Sequence, residues 1–135
     1  MRILETDWWS LLLPDEWLAE HDDDIVVIGD RDGVGCIEIS EWQREEDEAQ
    51  PPDLEALVQE NSLPGASWQS CRLGAFRGFG SAGEEEGTAL REWYLQCGPL
   101  LLYITYSCDA ENAGMDDAVV DEILQTLSAH PDLLT

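Results

Sequence analysis

The 135-residue chain has no lysine, and six arginines stand against thirty aspartates and glutamates. The formal net charge is −24. A chain of this sign lacks the basic footprint that nucleic-acid phosphates and anionic lipid surfaces need, so neither is expected as a direct partner. Also missing is any apolar run near the ~20 residues that cross a bilayer; the longest is Leu100–Ile104. The opening residues Met1–Asp7 lack a basic start followed by an apolar stretch, which predicts a cytoplasmic protein.

Catalytic and metal-binding patterns are equally scarce. The four cysteines, Cys36, Cys71, Cys97 and Cys108, form no C-x-x-C pair, and only His21 and His130 could join them. Neither a disulfide framework nor a zinc site is expected, and each cysteine reads as a small buried apolar residue. Asp30-x-Asp32-Gly33 begins like a calcium loop, but the glycine comes at the fourth position and strand residues follow, so it reads as a hairpin turn. The nucleophile elbow G-x-S-x-G is absent. Gly33-Val34-Gly35 and Gly78-Phe79-Gly80 lack the rest of a phosphate loop, and the second leads into Glu84-Glu85-Glu86, which repels phosphate. No catalytic residue, metal or cofactor is predicted. Charge density alone permits weak divalent-cation binding near Asp22-Asp23-Asp24 or Glu84-Glu85-Glu86.

What the chain does have is 44% hydrophobic residues, including six tryptophans, enough for one globular domain over residues 1–135. The acids cluster, and two stretches have none: Asn61–Gly83 and Trp93–Cys108. Since a buried unpaired carboxylate is costly, both stretches are expected to lie inside.

Period-two alternation of Trp9, Leu11 and Leu13 predicts a strand, with Pro14-Asp15-Glu16-Trp17 turning the chain. β-Branched Ile25–Ile28 predicts a second strand, and Val34–Ser40 a third, with Ile37 and Ile39 on one face and Glu38 and Ser40 on the other. Residues 41–50 read as a mobile acidic loop. Pro51-Pro52-Asp53 then opens a helix with the stripe Leu54, Leu57 and Val58. Ser67–Gly80 predicts one or two strands. Thr88–Cys97 predicts a long one, with Trp93, Leu95 and Cys97 opposite Glu92, Tyr94 and Gln96. After a reversal at Gly98-Pro99, Leu100–Cys108 is apolar enough for a central strand covered on both faces. Met115, Val119, Ile123 and Leu127, flanked by Val120 and Leu124, predict a C-terminal helix ended by His130-Pro131, with residues 130–135 frayed. The element order gives an α+β fold, a mostly antiparallel β-sheet flanked by two main helices.

Surface remains as the source of function. Trp8 and Trp9 are adjacent on a strand and so point to opposite faces, sending one of them away from the principal core. The acid-free stretch contributes Arg72, Phe76, Arg77 and Phe79, the mixture of arginine and aromatics enriched at the centre of protein interfaces. Trp8, Arg72, Phe76, Arg77 and Phe79 are therefore the predicted protein-binding residues.

Three segments resemble the Mog1/PsbP-like group of small α/β/α sandwich proteins. They are Trp9-Ser10-Leu11-Leu12-Leu13-Pro14-Asp15-Glu16-Trp17, the hairpin Asp32-Gly33-Val34-Gly35, and the Trp93 strand running on to Tyr103-Ile104-Thr105-Tyr106-Ser107-Cys108 before a terminal helix. The resemblance covers residues 5–129. It implies an adaptor or chaperone with no shared catalytic residues, since the group includes a binder of a small GTPase, a photosystem subunit and chaperones of type VI secretion effectors. The extreme acidity departs from that group.

These observations predict a non-enzymatic adaptor, chaperone or immunity-like protein. Its partner would be a protein that is basic or exposes apolar segments, and a homodimer is compatible with the sequence. The alternatives are an acidic decoy that blocks a basic nucleic-acid-binding protein and, third, a small hydrolase or metal-dependent enzyme.

Overall fold

Apolar residues at every second position, separated by tight turns, make this a protein of hairpins. The computed structural model describes residues 2–6, 8–22, 25–30, 35–43, 68–74, 76–97 and 100–129. Along these lie β1 (Arg2–Glu5), β2 (Trp9–Leu13), β3 (Trp17–Asp22), β4 (Ile25–Asp30) and β5 (Gly35–Gln43). They are followed by β6 (Gln69–Leu73), β7 (Phe76–Glu85), β8 (Thr88–Cys97), β9 (Leu100–Asp109), a 3₁₀ turn at Ala110–Asn112, α1 (Asp117–Gln125) and β10 (Ser128–Ala129). One sheet has three strands in the order β1-β2-β10, and the other has seven in the order β3-β4-β5-β9-β8-β7-β6. Every pairing is antiparallel.

Two hairpins show why the chain reverses where it does. At the β7–β8 turn Glu86 and Gly87 have φ of 49° and 83°, both in the left-handed region that a two-residue turn matched to strand twist requires. At the β6–β7 turn Gly74 has φ of 61°, and a Cβ there would meet the carbonyl oxygen of Leu127. Only glycine fits that position.

One face of the seven-stranded sheet is the core. Leu100, Leu102, Ile104, Tyr106 and Cys108 of β9 are buried, together with Trp93, Leu95 and Cys97 of β8 and Ile37 and Ile39 of β5. Onto this inner face pack Trp9, Leu11 and Leu13 of β2 and Val120, Ile123 and Leu124 of α1. Polar ties fix the layers. The Trp9 indole N–H donates to Glu41 Oε2 at 2.8 Å, joining the two sheets. The Leu12 amide donates to Thr126 Oγ1 at 2.8 Å, and that hydroxyl donates to the Ile123 carbonyl at 2.6 Å.

The structure corrects the sequence reading at several points. β1 and β3 are strands in segments where none was predicted. β5 runs on through Gln43, so the first three residues of the predicted loop 41–50 are strand, held by pairing of Glu41–Gln43 with β9; the rest of that loop lies outside the described residues. Among the described residues there is one helix rather than two. The predicted helix over 51–60 lies outside them, as do the reversal at Gly98-Pro99 and the tail 130–135. Of the one or two strands expected over Ser67–Gly80, the structure has two, β6 and the start of β7. The C-terminal helix begins after Met115, which is 67% exposed, and ends before His130 because the chain turns at Thr126 to lay β10 against β2. β9 is central, but its burial alternates: the inner residues are buried, and Leu101, Tyr103, Thr105 and Ser107 on the other face are half-buried.

The largest correction concerns the acid-free stretch Asn61–Gly83. Among the described residues its strand β6 is the edge of the sheet, with Gln69, Ser70 and Arg72 exposed and Cys71 and Leu73 half-buried. Freedom from carboxylates there does not reflect burial. It leaves two arginines without an ion-pair partner among the described residues.

Candidate functional site

The face of the seven-stranded sheet turned away from α1 and β2 carries a second, smaller apolar cluster. Register across β6, β7, β8, β9 and β5 lines up Ser70, Phe79, Tyr94, Tyr103 and Ser40 in one row. Tyr94 is 6% exposed, and Trp68, Phe79, Leu101 and Tyr103 pack against it. The Tyr94 and Tyr103 rings stack with centroids 4.6 Å apart at 26°, and Trp68 tilts against Tyr94 at 5.6 Å and 49°. The Trp68 indole N–H is buried without a hydrogen-bond partner among the described residues.

The neighbouring row holds Arg72, Arg77, Gln96 and Leu101. Arg72 and Arg77 are directly opposite one another, both exposed, and neither has an ion-pair partner among the described residues. The two-residue turn makes Leu73–Phe76 a hydrogen-bonded pair, so by alternation Arg72–Arg77 is a non-hydrogen-bonded pair, the type that brings side chains closest. Like charges so placed repel. On the far side of the aromatic row stand acids. Glu92 accepts a hydrogen bond from the Tyr103 hydroxyl at 3.1 Å, and exposed Glu38 lies opposite Thr105. Burial first, and then the Glu92 charge, push both Tyr94 and Tyr103 above the ordinary phenol range.

Three of the five predicted binding residues thus come together: Arg72, Arg77 and Phe79. Phe76 does not join them. It is fully buried on the inner face, and the odd spacing between Phe76 and Phe79 already requires opposite faces of one strand. Trp8 is also elsewhere, half-buried against the principal core just before β2, where its amide donates to Thr6 Oγ1 at 3.2 Å. The residues missed are Trp68, Tyr94 and Tyr103. The signal for the two tyrosines was the same period of two that buried Trp93 and Ile104.

On the inner side, clefts of about 390 Å³ and about 440 Å³ meet at Ala82 and Arg91. The Arg91 guanidinium lies 4.7 Å over the Trp93 ring, and its Nη2 donates to Asp121 Oδ1 at 2.7 Å. Its Nη1 is 3.5 Å from Asp117 Oδ1, an ion pair by distance without hydrogen-bond geometry. This arginine is already neutralised by the helix. Cys71, at the rim of the smaller cleft, is a free thiol pushed above its ordinary range by burial, which keeps it protonated and weakly nucleophilic at neutral pH. Among the described residues, no group of three or more histidines, cysteines or acids is gathered to hold a metal ion. No helix among them is long and apolar enough to cross a membrane.

The chain matches no family model and no curated protein sequence. Among solved structures it is similar to a Bacteroides thetaiotaomicron protein, with a TM-score of 0.64, 18% identity and 91% of this chain covered; it spans 45% of that longer chain. It is similar to cyanobacterial PsbP (CyanoP) of Synechocystis, with a TM-score of 0.59 and 8% identity over 90% of this chain and 86% of that one. It is also similar to LpqN of Mycobacterium tuberculosis, a protein involved in cell envelope biogenesis, with a TM-score of 0.54 and 15% identity over 91% and 83% of the two chains. The antiparallel sheets, the helix packed on the inner face and these neighbours together place the chain in the PsbP/Mog1-like fold.

Proposed function

We propose that the protein is a non-enzymatic, cytoplasmic protein-binding module of the adaptor, chaperone or immunity-protein kind, which docks its partner on the outer face around Arg72, Arg77 and Phe79. One observation carries this reading. In a chain of net charge −24, two exposed arginines stand side by side without an acid partner among the described residues, next to a stacked aromatic cluster. Setting two like charges directly opposite each other is locally unfavourable, whereas arginine beside aromatics is the composition of interface hot spots.

The surrounding acids would draw in a partner of positive net charge, while the arginine–aromatic patch would set how long it stays. The test is retention of a partner, captured by the tagged wild-type protein from its own cells, by Arg72→Glu and Phe79→Ala variants whose melting temperatures are unchanged. Both should lose it, and retention by both would remove the patch from consideration. The acidic-decoy alternative makes the opposite prediction: Phe79→Ala would bind normally and high salt alone would abolish the complex.

A further inference from the structure

We infer that the partner docks by adding an extended strand to the open edge of β6, and that this strand carries a carboxylate opposite Arg72 and an apolar side chain opposite Ser70. The inference rests on the binding role proposed above and specifies the partner's chemistry and mode. β6 is the last strand of its sheet among the described residues, and Ser70 and Arg72 are exposed. Two hairpin registers fix where its backbone points. Leu73–Phe76 and Glu85–Thr88 are each three residues apart at the end of a hairpin and so are hydrogen-bonded pairs. Alternation from both agrees: Gln69, Cys71 and Leu73 bond to β7, and Ser70 and Arg72 turn their N–H and C=O groups outward. No hydrogen bond occupies those groups among the described residues.

The same two residues belong to the outer face, so an added strand continues the two rows already present. Opposite Arg72 it extends the Arg72–Arg77 row, where a carboxylate relieves the repulsion between two guanidinium groups. Opposite Ser70 it extends the row of Phe79, Tyr94 and Tyr103, where an apolar ring continues the cluster. Antiparallel addition, the pairing of all the described strands in the sheet, requires the pattern Glu-x-Phe. The arginines also select against the most obvious competitor. Two copies joined edge to edge through β6 would gather four guanidinium groups, so the charge that guards this edge against self-pairing marks it for an acid-bearing strand. Because the whole chain repels anions at long range, the rest of the docking segment should be neutral or basic.

The experiment uses the full chain and a fluorescein-labelled synthetic peptide, Lys-Lys-Thr-Val-Glu-Val-Phe-Val-Thr, followed by anisotropy. The peptide should bind saturably, and replacing its Glu by Lys should weaken binding by about tenfold. N-methylation at its Glu and Phe amides, which removes the donors facing Arg72 and Ser70, should cost about as much or more, roughly tenfold. An Arg72→Glu protein should reverse the preference and favour the Lys peptide. No saturable binding up to about 1 mM, where free energies are only about −4 kcal/mol, overturns the inference. So does equal binding of the Glu and Lys peptides, or of the N-methylated one. If N-methylation is harmless while Phe79→Ala still loses the cellular partner, strand addition falls and the binding face stands.

Discussion

The hydroxyl of Tyr106, at the inner face of β9, donates to Oδ2 of Asp116 at 2.6 Å, and that carboxylate is 8% exposed. Asp116 is the buried charged residue among those described, and it sits immediately before α1 without capping the helix through its side chain. The hydrogen bond therefore secures the helix entrance to the central strand.

Tyr106→Phe removes the donor and leaves the carboxylate buried without it. The expected loss is about 1–3 kcal/mol, the usual cost of an unsatisfied buried polar group. Urea denaturation of Tyr106→Phe, Asp116→Asn and the double variant measures it. The two single losses should not add, because they remove one interaction. Strict additivity would mean that the two groups act independently.

Alkaline conditions should destabilise the fold from a predictable point. Burial, then the hydrogen bond to Asp116, holds Tyr106 well above the ordinary phenol range, and burial with the Glu92 charge does the same for Tyr103. Burial also raises Cys71 and Cys97 from their ordinary value of 9.0. A group whose proton is held more tightly in the native state contributes stability that is complete below its unfolded-state pKa and is lost as pH rises toward its folded value. The melting temperature should thus be flat through neutrality, begin to fall near pH 9 as unfolded thiols ionise, and fall faster above about 10 as phenols follow. Tyr103→Phe and Tyr106→Phe should each flatten the steeper part of the curve. A wild-type protein indifferent to pH up to 11 would show that these side chains are hydrated.

Much of this architecture could be read from spacing. Ile37 and Ile39, Trp93 and Leu95, and Leu102 and Ile104 lie on the inner face because residues two apart share a side of a strand, and the sequence shows that directly. β3 was invisible for a physical reason: at the sheet edge, Leu18 and Glu20 face water while Trp17 is buried and Ala19 half-buried, so no strong apolar pattern marks it. The same edge effect misled the reading of β6. A stretch without acids can be interior, as β9 is, or it can be a surface where acids would neutralise something useful, and composition does not separate the two. Arg72 opposite Arg77 appears only once the register is known. Phe79 and Phe76, three apart, could have been assigned to opposite faces beforehand.

Thr126 is a small residue with a large structural task. Its hydroxyl accepts the Leu12 amide of β2 and donates to the Ile123 carbonyl at the end of α1, so it holds the three-stranded sheet against the helix. Thr126→Val keeps the shape and deletes both bonds, leaving a β2 amide without its acceptor. A loss of about 1–3 kcal/mol is expected, with Thr126→Ser losing far less. Glu41→Ala tests the opposite tie, since it strips the acceptor from the Trp9 indole, which is 2% exposed. Trp9 and Leu12, the β2 residues held by the two ties, are three apart on one strand, so near-additivity of Thr126→Val and Glu41→Ala would show that the two ties act separately. Equal stability of Thr126→Val and wild type would remove the hydroxyl from the account.

Ionic strength should act on the whole molecule. Thirty acids and six arginines leave most carboxylates without a basic neighbour, and among the described residues Arg91 is the arginine spent on ion pairs, with Asp117 and Asp121. Those two carboxylates are 54% and 51% exposed, so the pairs are weakly stabilising and easily screened. Self-repulsion among the remaining acids is the larger effect, and salt reduces it as the screening length shrinks from ~10 Å at 0.1 M toward ~3 Å at 1 M. The melting temperature should therefore climb with sodium chloride, most steeply at low concentration where screening changes fastest. Reversing Arg72 and Arg77 to glutamate removes the local positive patch and adds to the net negative charge, so that variant should melt lower in dilute buffer and gain more from salt. A wild-type melting temperature that stays level or drops as salt is added would mean that the acids are spaced widely enough around the surface for their repulsion to be negligible. The steering of a basic partner by that surface would then lose its physical basis, while the contact made by Phe79 and the two arginines would be left to stand on its own.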